Sequence, residues 1–158
     1  MSKKIKKIHA PSCDWKAPVK TDSATKNKDR INRYKGDGKW AGVKVEKYKN
    51  QAGGWASIAR NVLIGNCGES AKFHLRYFEI SQGGFSSLEK HRHEHVVICI
   101  RGKGKIQIGK KKQTLNFLDV AYIAPNTAHQ LSNPCTEQFG FFCIVNAKRD
   151  RPTQIKKV

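Results

Sequence analysis

The sequence predicts an all-β domain, a sandwich or barrel, on three observations. Its apolar residues come in runs of four to eleven rich in Val, Ile, Phe and Tyr. Gly, Pro and Asn pairs separate the runs at short intervals. No window carries a sustained 3.6-residue apolar period with helix caps at its ends. A length of 158 residues suits one domain with a core of useful size.

Residues 1–50 hold 15 Lys and Arg against 5 Asp and Glu and few aliphatic side chains, so they read as a basic, partly extended N-terminal arm. The short apolar stretch from Trp40 to Val45 is a candidate for docking on a neighbour or for strand exchange. Residues 51–158 form the barrel. Its strands are expected in the runs 55–65, 73–81, 95–102, 105–109, 113–117, 119–125 and 139–147. Turns fall at Gly83-Gly84, at Gly102 to Gly104 as a hairpin, at Gly109, at Pro125-Asn126 and at Asn133-Pro134. Lys110, Lys111 and Lys112 then sit at a solvated hairpin tip. Cys99 and Cys143 lie in apolar runs and read as small core residues, and Phe139, Phe141 and Phe142 as core or pocket wall. In 73–81 one alternating set is Phe73, Leu75 and Tyr77, the other His74, Arg76, Phe78 and Ile80. His74 reads as a surface or satisfied polar residue. Arg76 either faces water or lines the barrel, where its planar fork would grip a substrate carboxylate, and parity leaves both open.

The balance of 31 Lys and Arg against 12 Asp and Glu gives a net charge of +19. The positive residues are mostly Lys and scattered, with no Arg-rich helix or aromatic-interleaved basic stripe, so solvated charge is expected rather than nucleic-acid binding. No helix-turn-helix pattern precedes the barrel. No apolar run of about eighteen residues offers a membrane span, and the basic start lacks the apolar stretch of a signal peptide. Five cysteines with no C-x-x-C pair signal neither a disulfide framework nor a cysteine zinc site, and a reducing cytoplasm fits them.

The chemistry concentrates in one stretch. Glu89, His91, His93 and His95 alternate, so a strand would send all four to one face and Lys90, Arg92 and Glu94 to water. His129 follows thirty-four residues after His95. Such a cluster has the composition of a metal site.

The spacing of these residues resembles the two motifs of the cupin superfamily over residues about 70–146. The first, G-x5-H-x-H-x3,4-E-x6-G, is matched by Gly83, Glu89, His91, His95 and Gly102, with Glu89 where the first histidine is usual and His95 where the glutamate is usual. The second, G-x5-P-x-G-x2-H-x3-N, is matched from its end by Pro125, Asn126, His129 and Asn133, with Asn126 in place of a glycine, Leu118 and Ala124 in place of residues of the usual Gly-Asp and Pro-Pro pairs, and Asp119 keeping the acidic partner. Asn tolerates the left-handed turn that such a glycine serves.

The resemblance implies a double-stranded β-helix, or jelly-roll, barrel with one divalent transition metal (Fe, Mn, Ni, Zn or Cu) near its open end. Glu89, His91, His95 and His129 are the implied ligands, with Glu89 as ligand or as proton acceptor in catalysis. It places His93 in the turn between strands. Three readings stand: a core set of His91, His95 and His129, a set that includes His93, and no bound metal at all. The function expected is that of a small-molecule metalloenzyme, dioxygenase-like or isomerase/lyase-like. The alternative is a non-catalytic metal- or ligand-binding cupin acting as sensor or accessory protein. A small-molecule ligand and a homodimer joined through sheet edges are the expected partners.

Overall fold

The computed structural model describes residues 29–47, 56–149 and 153–155. Among the described residues there are thirteen strands, and no helix is long and apolar enough to cross a membrane. Most of the basic arm, residues 1–28 and 48–50, lies outside them, as does Cys13.

The described part of the arm forms a small hairpin, β1 (Tyr34–Gly36) and β2 (Lys39–Trp40), followed by β3 (Glu46–Lys47). Asp37 and Gly38 turn the hairpin with φ of 47° and 62°, the paired left-handed residues that suit a tight two-residue loop. Trp40 lies against Tyr77 and Phe142 of its own chain, ring centroids 5.0 and 6.1 Å away. The hairpin therefore covers the outer face of the barrel at that point.

Each of the seven apolar runs becomes a strand. They are β4 (Ala56–Ile64), β5 (Phe73–Phe85), β7 (His95–Arg101), β8 (Gly104–Ile108), β9 (Lys111–Leu115), β10 (Val120–Ile123) and β12 (Phe139–Asn146). Three shorter strands join them: β6 (Glu89–Lys90), β11 (His129–Ser132) and β13 (Thr153–Gln154). All pairings are antiparallel. One sheet runs β3-β4-β5-β12-β7-β10 and the other β9-β8-β11-β6-β13. The end of β5 joins them, since Phe85 pairs with Ser132 of β11. The product is an all-β jelly-roll barrel, as the motifs imply.

Two turn assignments are corrected. Gly83-Gly84 does not end a strand: β5 runs through both, with Gly83 at φ 73°, and bends from one sheet towards the other. Gly102 to Gly104 is not a hairpin, because β7 pairs with β10 and β12 whereas β8 pairs with β9 and β11. It is a corner between the sheets. The Gly109 turn does close a hairpin, with Lys111 and Lys112 opposite Ile108 and Gln107.

Both sheets feed one core. Ile80, Val97, Cys99, Ile123 and Phe139 are essentially sealed from water, joined by Ile106, Leu115 and Leu131 from the second sheet. Alternation along β12 sends Phe139, Phe141, Cys143 and Val145 inward.

Candidate metal centre

Three strands bring their first residues to one place: Glu89 opens β6, His95 opens β7 and His129 opens β11. His129 sits directly across from Glu89 in the antiparallel pairing. His91 stands just past β6, in the short connection that carries the chain to β7. All four side chains are buried. One ligand nitrogen from each of His91, His95 and His129 lies within 4.8 Å of the others.

The outer nitrogens of these rings are committed. His91 Nδ1–H donates to the His93 carbonyl at 2.7 Å, and His129 Nδ1–H donates to the Thr127 carbonyl at 2.9 Å. That fixes the tautomer in which Nε2 carries the lone pair. His95 Nδ1 contacts Cys143 Sγ at 3.1 Å, and its Nε2 is 2.8 Å from His91 Nε2. Two lone pairs at that separation repel unless a proton or a cation lies between them. The donor set therefore fits a divalent metal: three neutral imidazoles, each held at its far nitrogen and converging at Nε2.

The electrostatics favour the neutral, ligating form. Burial is the main force holding the His95 pKa down, to about 2, with the nearby histidines and Arg76 adding to it. Burial also pulls His129 below its ordinary value, against the opposing hydrogen bond to Thr127. A metal needs imidazoles that have shed their protons, and this pocket keeps them so.

His93 falls in the bend between β6 and β7 and lies outside the three-histidine group. Its ring stacks on His91 at 3.6 Å and 5°, and its carbonyl orients the His91 ring. Glu89 is also outside the group. It accepts a 2.6 Å hydrogen bond from Ser87 Oγ and lines the same pocket, beside the imidazoles. The wall of that pocket includes His95, His129, Phe78 and Leu131.

Two wall residues carry more chemistry than the sequence alone assigns. Arg76 is buried on β5, its Nη2 3.2 Å from Cys143 Sγ and its guanidinium 5.1 Å from the Phe78 ring centre. Cys143 is therefore not only a core residue: it stands between Arg76 and His95 and faces the pocket. Burial pushes its thiol pKa up, against the pull of Arg76. The usable signal is the inward alternation of β12. His74, by contrast, is half-buried beside Gly65 and away from the pocket, with its Nδ1 sealed and unpartnered.

Comparison with known proteins agrees with this architecture. The Cupin_2 model, a cupin domain, matches residues 76–145. The 1-methylthio-D-xylulose 5-phosphate methylsulfurylase of Rhodospirillum rubrum is 36% identical over 128 residues, which cover 80% of this chain and 81% of that protein. A cupin-2 domain crystal structure from the same organism superposes with a TM-score of 0.71 at 34% identity, covering 80% of this chain and 84% of its own. A cupin 2 conserved barrel protein from Rhodopseudomonas palustris gives 0.75 at 34% identity, covering 80% and 87%.

Proposed function

The chain belongs to the cupin family, and from that premise we propose that it is a metal-dependent enzyme acting on a small oxygen-rich metabolite. The observation that carries this reading is the convergence of His91, His95 and His129 within 4.8 Å, with Nδ1 of His91 and of His129 tied to backbone carbonyls. A divalent transition metal held by these three would supply Lewis-acid polarisation of a substrate oxygen. The surrounding residues divide the remaining work. Glu89, beside the histidines rather than among them, is placed to accept a proton from a carbon or hydroxyl of the bound molecule, with Ser87 holding one of its oxygens in orientation. Phe78, Leu131 and Phe141 exclude water from the inner wall.

The relative from Rhodospirillum rubrum makes its named substrate, 1-methylthio-D-xylulose 5-phosphate, the first compound to try. Metal content of protein purified without added metal, measured for the natural sequence and for His91→Ala and His129→Ala, tests the centre. Near-stoichiometric metal in the former and its loss from both variants is the expected result. Equal metal in all three would sink the assignment. Turnover of that sugar phosphate, followed by mass spectrometry and abolished by EDTA, tests the activity. Saturable binding with no turnover of it or of related sugar phosphates would favour the sensor reading.

A further inference from the structure

We propose that Arg76 is the seat for an oxyanion of the substrate, so that the pocket takes a molecule with metal-binding oxygens at one end and a phosphate or carboxylate at the other. Arg76 is 6% exposed and lines the same pocket as His95 and His129. No carboxylate of the described residues forms a salt bridge with it, although Arg30, Arg60 and Arg101 each have one. Its guanidinium contacts the Cys143 sulfur and the face of Phe78. Its Nε is sealed from water and has no hydrogen-bond acceptor.

A permanently charged guanidinium buried without a counter-ion is costly, and folds normally pair it. Here the charge lines the same pocket as His95 and His129, where a ligand can bring the missing anion. A guanidinium is a planar fork of donors that suits the oxygens of a carboxylate or phosphate. Cys143 separates Arg76 from His95, in contact with one at 3.2 Å and with the other at 3.1 Å. The anion seat is thus displaced from the Nε2 side of the histidines by the width of a thiol and an imidazole. A substrate that uses both ends carries its anionic group several bonds away from the oxygens that meet the metal.

This inference rests on the pocket being the working site proposed above, and its test separates the two. Inorganic phosphate and acetate are titrated by calorimetry into the natural protein, Arg76→Met and Arg76→Lys, each as purified and after EDTA treatment, with metal content measured alongside. At least a tenfold loss of affinity in Arg76→Met for one of the two anions is expected, with a smaller loss in Arg76→Lys, which keeps the charge but not the fork. The tighter anion names the source. Equal affinity in the natural protein and Arg76→Met would mark binding to surface lysines and overturn the seat, as would saturation by neither anion. Should Arg76→Met fail to fold, the Arg76 Nε–H resonance of the natural protein decides: a shift on titration supports the seat and a fixed signal overturns it. A tenfold difference that persists after EDTA upholds the anion seat even where the metal assignment fails.

Discussion

Metal-free protein is expected to lose stability as the pH falls from 7 to 5, through its buried histidines. In the folded chain burial above all holds His95 neutral down to about pH 2, whereas its ordinary value is 6.5. Below 6.5 the unfolded chain takes up a proton that the folded chain refuses, so the unfolded state binds more protons and stability falls with falling pH. One such group costs about 2 kcal/mol between pH 7 and 5, with a limiting slope of about 1.4 kcal/mol per pH unit. His129, pulled in the same direction, adds to the loss. Glu46 and Glu69 leave this window clear. Both are held below 4.5 by Arg partners or backbone donors, so their contribution is present above 4.5 and is lost only as the pH falls further. Against a typical domain stability of about 5–15 kcal/mol the effect is large. Guanidinium unfolding of EDTA-treated protein at pH 7, 6 and 5 measures it, and His95→Gln should flatten the dependence without abolishing it. A stability that is level or rising towards pH 5 would refute the account of a neutral, desolvated histidine cluster.

Leu118→Gly should raise stability by about 0.5–1 kcal/mol: Leu118 sits at φ 67° and 63% exposed, so relief of left-handed strain outweighs the added chain entropy of glycine, and a lowered unfolding midpoint would contradict this. Gly104→Ala should cost about 1–3 kcal/mol, because a Cβ there runs into the sealed Phe139 ring; thermal unfolding within error of the natural protein would show that the corner yields freely. Cys143→Ala should weaken metal binding about tenfold by freeing the His95 Nδ1 end, while Cys143→Ser restores much of it; competition against a chelator reads both, and equal affinities for all three proteins would remove the thiol from the site.

The strands that carry the core were legible because their apolar residues form runs that no helical period explains, from Val96 to Ile100 and from Phe139 to Val145. What escaped was how those runs connect. Gly83-Gly84 and Gly102 to Gly104 have the composition of tight turns, yet one bends a continuous strand and the other rounds a corner between sheets. Glycine signals only that the backbone leaves the ordinary region, and both geometries ask the same of it. Strand β11 was hidden for a different reason. Its inward set is His129 and Leu131, so the residue that carries the chemistry is also the one that breaks the apolar alternation by which a strand is recognised.

The centre itself follows the same division between what spacing encodes and what packing decides. His91, His95 and His129 meet because β6, β7 and β11 begin at one end of the barrel, and glycine-anchored spacing in the motifs already marks those starts. Arg76 was ambiguous because both faces of β5 are covered: Phe78 and Ile80 pack into the core on one side, while Tyr77 is buried under Trp40 on the other. Alternation distinguishes inside from outside only where one face is wet. The β1–β2 hairpin dries the second face and so removes the contrast that would have sent Arg76 inward on inspection. Its charge adds to the puzzle, since a buried arginine is expected beside a carboxylate and none of the described carboxylates reaches it. Absence of an internal partner is a property of the folded pocket and not of any local pattern. That missing partner, more than the histidines alone, limits what this barrel is suited to hold.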